Sequence, residues 1–221
     1  MELLYTAHVP AGEGPFPTIF LLHGWGASAH DLIGLAPVLH GGRALVLCPQ
    51  GPVAIEPGPN MIGYGWFPLQ PGQPPDGTAI RMAQGLLEIF IDDACEKYPV
   101  DRSKLVLAGF SQGGFMAYQI ALADPARYAG LMALSSWLPA DIVEKVAPQP
   151  AHERLQTLVI HGAKDTMVPI ERAYTSRDAL LRLKVPTVFR EYEMAHEIRP
   201  EALREIVGWL EHKVFSPVAL A

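Results

Sequence analysis

The chain has 221 residues, 49% of them hydrophobic and 18% charged, with a net charge of −6 at pH 7. That balance describes a folded protein with a large core and excludes a disordered one. The negative charge argues against nucleic acid and anionic membrane surfaces as partners.

Taken from the N-terminus, Leu3 to Val9 reads as an edge strand. A Pro/Gly turn follows, and Thr18 to Leu22 is an apolar run ending at His23-Gly24-Trp25-Gly26, which predicts a buried strand and a tight loop. Asp31 to Leu39 has helical spacing, interrupted by Gly34 and Pro37. Ala44 to Cys48 is the next buried strand. Residues 51–77 are dense in proline and glycine and carry Tyr64, Trp66 and Phe67; a loop of that length is expected to form a wall of a functional site. Thr78 is expected to cap a long helix running to about Tyr98, with Ile80, Ala83, Leu87, Ile91 and Ala94 on one face. Leu105 to Ala108 is a strand and Phe115 to Ala123 a helix. Tyr128 to Leu134 and Thr157 to Ile160 are further strands, and the stretch between them has room for at most one small helix. Ile170 to Leu183 is an amphipathic helix, Thr187 to Tyr192 the last strand, and Pro200 to Val214 the closing helix. Strands alternating with helices predict a mainly parallel sheet covered on both faces, in one domain over residues 1–221. The N-terminus lacks a secretory leader, and no apolar run approaches the roughly 18 residues of a membrane span. Cys48 and Cys95 sit in apolar contexts and are expected as buried free thiols, which suits the cytoplasm.

The chemistry starts at Gly109-Phe110-Ser111-Gln112-Gly113. A Ser between glycines, with a strand before it and a helix after it, sits on a sharp turn that pushes its hydroxyl out of the end of the sheet. Ser111 is therefore the expected nucleophile. A serine hydroxyl needs a neighbouring base, and in a parallel sheet reactive groups collect at the carboxyl ends of strands. Among the acids that rule selects Asp165, after the strand at 157–160; among the bases it selects His196, after the strand at 187–192. Asp178 falls in mid-helix and Asp141 follows no clear strand end. The chain order Ser, Asp, His agrees with a nucleophile-elbow enzyme. His23 and His161 are expected to brace their loops, while His8, His30, His40, His152 and His212 read as surface or turn residues. The oxyanion of an acyl-transfer intermediate needs two backbone donors, expected from Gln112 and Trp25. The short stretch between Leu134 and Thr157 leaves no room for a large cap, so the site is expected to be open, lined by Trp25, Trp66, Phe67, Trp137, Leu138 and Met167, and to suit short to medium acyl groups. Metal-ligand spacings, dinucleotide fingerprints and phosphate loops do not occur, so no metal and no cofactor are expected.

The chain resembles the phospholipase/carboxylesterase family of α/β-hydrolases, the group that includes acyl-protein thioesterases. The likeness rests on Leu-His-Gly-Trp-Gly (22–26), Pro-Gln-Gly-Pro (49–52), Trp-Phe (66–67), Gly-Phe-Ser-Gln-Gly-Gly (109–114), Ser-Ser-Trp-Leu-Pro (135–139), His-Gly-x-x-Asp-x-x-Val-Pro (161–169) and Met-Ala-His-Glu-Ile (194–198), in that order over nearly the full length. The resemblance implies Ser111, Asp165 and His196 as a triad, Trp25 and Gln112 as oxyanion donors, an ester or thioester substrate, no cofactor and frequent homodimers. The expectation is a serine carboxylesterase; the rival readings are an acyl-protein or acyl-CoA thioesterase or lysophospholipase with the same triad, and a catalytically silent fold that only binds ligands.

Overall fold

The apolar runs become strands β1 (Tyr5–His8), β2 (Phe16–Leu22), β3 (Leu45–Pro49), β4 (Val53–Gly58), β5 (Met61–Gly65), β6 (Val100–Phe110), β7 (Gly130–Leu134), β8 (Gln156–Gly162) and β9 (Thr187–Tyr192). The coordinates are a computed structural model that describes residues 2–58, 61–70, 72–138 and 140–216. Pro59, Asn60 and Pro71 of the proline-rich stretch, and Pro139 of the 135–139 motif, lie outside the described residues.

Seven strands form one sheet in the order β1-β3-β2-β6-β7-β8-β9. β1 lies antiparallel to β3 at the edge, and every other pairing in this sheet is parallel. Because side chains alternate across a strand, successive residues feed opposite faces. Phe20, Leu22, Leu105, Leu107, Leu131 and Val159 enter the core on one face; Ile19, Leu21, Val106, Ala108, Met132 and Leu158 enter the core on the other. Helices α1 (Gly77–Lys97), α2 (Gln112–Ala123) and α4 (Ile170–Arg182) cover the first face through residues such as Leu87, Ile91, Phe115 and Leu180. Helix α5 (Pro200–Trp209) covers the second through Ala202, Ile206 and Trp209. A short helix, α3 (Ala140–Lys145), and a 3-10 turn at Pro150–Arg154 are the helical elements between β7 and β8, so that crossover carries no large cap.

Several local expectations are corrected. Asp31 to Leu39 is not an α-helix: it forms separate 3-10 turns at Ile33–Leu35 and Leu39–Gly42. Gly34 costs helical backbone entropy, and Pro37 offers no N–H to a continuing ladder. The cap of α1 is Asp76, not Thr78; its Oδ1 accepts from the Thr78 amide at 2.8 Å. The segment 51–77 is not irregular throughout, because β4 and β5 pair as an antiparallel hairpin. The closing helix ends as α-helix at Trp209 and continues as a π-helical turn over Leu210–Val214.

The chain runs from β2 outward to β3 and then returns to place β6 on the other side of β2. In an open parallel sheet, a crevice opens at the carboxyl ends of the strands where the winding reverses. Those ends are Leu22 and Phe110, immediately before His23-Gly24-Trp25 and Ser111.

Candidate active site

Ser111 sits between β6 and α2 with φ 53° and ψ −118°. A side chain at positive φ is strained and persists only where its surroundings impose it. Here the Ser111 amide donates to the Leu134 carbonyl at 2.9 Å, and the Ser111 carbonyl accepts from the Ser136 hydroxyl at 2.7 Å. The flanking glycines permit the turn by close packing: a Cβ at position 109 would lie 2.2 Å from the Gly113 carbonyl carbon, and one at 113 would lie 2.1 Å from the Leu22 carbonyl oxygen. Strand, turn and next strand therefore touch backbone to backbone.

Asp165 and His196, the expected acid and base, come from the loops after β8 and β9, and backbone bonds tie those loops together. Ala163 donates to the Tyr192 carbonyl at 2.8 Å and Lys164 to the Met194 carbonyl at 3.0 Å. Gly162 lets them close, because a Cβ there would lie 2.2 Å from the Met194 carbonyl oxygen. The result is a bond of 2.7 Å between His196 Nδ1 and Asp165 Oδ2. The other carboxylate oxygen accepts from the amides of Met167 at 2.9 Å and Val168 at 2.8 Å. A fully buried carboxylate is thus met on both oxygens. With Nδ1 donating to the acid, Nε2 keeps its lone pair for a proton. The His196 ring packs on Phe110, the residue before Ser111, with centroids 4.7 Å apart. Among the described residues the Ser111 hydroxyl makes no hydrogen bond to the imidazole; such contacts often tighten only once substrate is seated.

His161 lies beneath this pair. Its Nε2 donates to the Val168 carbonyl at 2.7 Å and is 3.5 Å from Asp165 Oδ2. Burial holds its pKa below the usual histidine value. His23 braces the opposite side: Nδ1 donates to the Gly24 carbonyl at 2.7 Å while Nε2 accepts from the Gly51 amide at 2.9 Å. Burial lowers its pKa too. Both histidines brace loops as expected. His152 departs from expectation: it is fully buried, with Nδ1 accepting from the Gln149 amide and Nε2 bonded to the Leu122 carbonyl at 3.1 Å.

Neither the Trp25 amide nor the Gln112 amide meets an acceptor among the described residues. Both belong to the backbone around Ser111: a Cβ on Gly24 would lie 3.4 Å from Ser111 Cβ, and Gln112 opens α2. The Gln112 side chain has a part that sequence reasoning missed. Its Oε1 accepts from the Trp66 amide at 2.8 Å and its Nε2 donates to the Phe67 carbonyl at 2.7 Å. Trp66 Nε1 in turn donates to the His23 carbonyl at 2.9 Å. Trp66 and Phe67 are therefore buried struts under the loop at residues 23–26. The hairpin joins them, with Gly26 donating to the Tyr64 carbonyl at 2.9 Å and Tyr64 to the Ala27 carbonyl at 2.8 Å. Gly63 and Gly65 were the available signal, since a Cβ at 63 would lie 2.2 Å from the Gly26 carbonyl oxygen. Of the other expected lining residues, Leu138 is buried and its amide donates to the Ser176 hydroxyl at 2.8 Å. Trp137 is half-buried against Phe115, and Trp25 and Met167 are exposed. Among the described residues no group of three or more His, Cys, Asp or Glu is placed to hold a metal ion, and no helix is long and apolar enough to cross a membrane. Cys48 and Cys95 are free and buried, and burial pushes the Cys48 thiol up to about 12.

The family model described as Phospholipase/Carboxylesterase matches residues 7–214. The chain belongs to that family, has the α/β-hydrolase fold and is a serine hydrolase. Acyl-protein thioesterase 1 of Gibberella zeae is 28% identical, the match covering 93% of this chain and 94% of that one. Acyl-protein thioesterase 1 of Mycosarcoma maydis is 27% identical, covering 91% and 92%. The crystal structure of esterase PE8 superposes with a TM-score of 0.79 at 25% identity, covering 95% of this chain and 98% of that one.

Proposed function

We propose that this chain is a carboxylesterase in which Ser111, His196 and Asp165 hydrolyse carboxylic esters of short to medium acyl chains through an acyl-enzyme. The observation that carries the reading is the 2.7 Å bond between His196 and the buried Asp165 carboxylate, at the sheet end where Ser111 occupies its left-handed turn. His196 Nε2 takes the hydroxyl proton as Ser111 Oγ bonds to the acyl carbon, and the carbonyl electron pair moves onto oxygen. The Trp25 and Gln112 amides, which meet no acceptor among the described residues, receive that oxyanion. Collapse breaks the bond to the leaving alcohol, which takes the proton from His196. Water then attacks the acyl-serine with His196 again as base, releasing the acid and restoring the Ser111 hydroxyl. Asp165 orients the ring and stabilises its charged form. The small crossover between β7 and β8 supports an open site, and hence short to medium acyl groups. Replacement of Ser111 by Ala should lower kcat for a butyrate ester about a millionfold and abolish labelling by a fluorophosphonate. Retention of near-wild-type turnover would remove the reading.

A second reading is favoured by the relatives named acyl-protein thioesterase 1: the same residues could act on an acyl thioester. Comparing kcat/KM for the oxygen and sulfur esters of one acyl chain separates the two.

A further inference from the structure

Beside the triad lies a cleft of about 240 Å³ lined by Asp31, Leu32, Leu35, Phe110 and Ile198. Two of its walls are neighbours of the reacting groups. Phe110 precedes Ser111 and its ring lies against the His196 imidazole; Ile198 follows His196 by two residues. The opposite wall comes from the segment after the oxyanion loop, where Asp31 donates its amide to the Ser28 carbonyl at 3.1 Å and a 3-10 turn over Ile33–Leu35 sets Leu35. One side of the cleft is therefore set by Phe110 and Ile198, which neighbour Ser111 and His196 in the chain, and the other by the segment that follows the loop at residues 23–26.

The proposed reaction decides what part of a substrate belongs there. His196 must hand its proton to the departing oxygen, so the leaving group has to lie along the imidazole. The acyl carbonyl points to the Trp25 and Gln112 amides instead. The cleft walled by the residues flanking the imidazole is thus on the leaving-group side. Its chemistry is four apolar side chains and one carboxylate. The Asp31 carboxylate is exposed at the rim and has no hydrogen-bond donor or ion-pair partner among the described residues. Its negative charge reaches the buried His23 ring that braces the oxyanion loop. An alkyl segment ending in a cation matches that lining: the chain lies on Leu35, Phe110 and Ile198, and the cation meets Asp31.

The geometry points to a leaving-group subsite formed by Asp31, Leu32, Leu35, Phe110 and Ile198 that favours esters of cationic amino alcohols. It rests on the hydrolase reading above and adds the class of alcohol to it. An isosteric pair tests it: butyrylcholine against 3,3-dimethylbutyl butyrate, which differ by a quaternary nitrogen in place of a quaternary carbon. The ammonium also activates its ester intrinsically, so the readout is how the kcat/KM ratio for the pair changes on substitution. For an exposed charge contact the ratio should fall about two- to fivefold in Asp31→Asn at low salt. It should recover in Asp31→Glu, and the wild-type ratio should shrink as salt shortens the screening length from about 30 Å at 0.01 M to about 8 Å at 0.15 M. Filling the cleft with Leu35→Trp should lower kcat/KM for the 3,3-dimethylbutyl ester about tenfold relative to the methyl ester, the scale of a poorly fitting alkyl group in a pocket. Turnover of both esters with an unchanged ratio in Asp31→Asn, or an equal effect of Leu35→Trp on large and small alcohols, overturns the subsite and leaves the triad standing. Absence of turnover for either ester, together with no fluorophosphonate labelling of Ser111, overturns the hydrolase reading beneath it.

Discussion

The two sides of the site are held by different physics. On the acid–base side, the loops after β8 and β9 meet through hydrogen bonds: two backbone bonds join them, and two amides plus an imidazole surround the Asp165 carboxylate. On the oxyanion side, the close approach of the backbone rests on absent side chains, above the bonds of Gln112 to Trp66 and Phe67. Gly109, Gly113 and Gly63 let backbones approach where any Cβ would collide, and Gly65 leaves room for the Trp25 and Gln112 side chains. The contrast teaches that the Asp165–His196 pair fails by losing a bond and the glycines about Ser111 by gaining an atom. Substitutions on the first should damage chemistry more than stability, and substitutions on the second the reverse.

The largest effect should come from Asp165→Asn. The amide of Asn can keep the shape of the loop but no longer fixes the imidazole tautomer, and kcat should fall about ten-thousandfold, as for the equivalent change in a serine protease triad. Thermal unfolding should move far less than activity. Equal losses in both would erase the contrast. On the oxyanion side Gly113→Ala should cost about 3 kcal/mol or more in denaturant-measured stability, because the new methyl meets the Leu22 and His23 carbonyls with no flexible atom to yield. A Gly113→Ala protein as stable as the wild type would show that the sheet end can open. Next in size is Gln112→Ala. It preserves the backbone amide but leaves the buried Trp66 N–H and Phe67 carbonyl without the bonds of 2.8 and 2.7 Å. Each orphaned group costs about 1–3 kcal/mol, so a loss of about 2–6 kcal/mol is expected in the same measurement, while fluorophosphonate labelling of the folded protein at low temperature persists.

The acid–base side was the more legible in sequence. Apolar runs ending at residues 160 and 192 mark strand ends, and Asp165 and His196 follow them closely, so a rule about where parallel sheets do chemistry was enough to select them. The pairing of β8 with β9 then brings the two loops together. The oxyanion side was legible only in outline. The motif at 22–26 and the elbow glycines were visible, but the hairpin over Val53–Gly65 was hidden because its glycines look like loop composition. They are there because a neighbouring backbone occupies the space a side chain would need, and that is a fact of tertiary approach, not of propensity. For the same reason the sequence offers only the backbone amide of Gln112 as a donor and Trp66 as pocket lining. Their bonds to each other span 46 residues, a distance over which no local pattern operates. Asp31 to Leu39 failed in the opposite way: its helical spacing was real, but Gly34 and Pro37 outweighed it.

Two of the buried histidines allow the smallest and most direct comparison of the sides, since His23 braces the loop after β2 and His161 the loop after β8. Burial lowers the pKa of both. In the unfolded chain each titrates near 6.5, so below that pH the unfolded state binds protons that the folded state refuses. Stability is then lost as pH falls from about 6.5 toward the depressed folded values, and these rings contribute no slope above it. Each can add at most about 1.4 kcal/mol per pH unit. Urea unfolding between pH 7 and 5.5, above the range where ordinary carboxylates titrate, should show that slope in the wild type and a shallower one in both His23→Gln and His161→Asn. The two differ in what acid should do first. His23 is bonded at both ring nitrogens, with Nε2 accepting from Gly51, so a proton there breaks a bond that positions the oxyanion loop. His161 Nδ1 is buried without a partner, so a proton there breaks no bond but places an uncompensated charge in the core, and it gains a carboxylate neighbour only through Nε2, 3.5 Å from Asp165. Removing His23 should therefore flatten the slope more than removing His161. Identical slopes in the wild type and both variants would show that neither ring resists protonation in the fold.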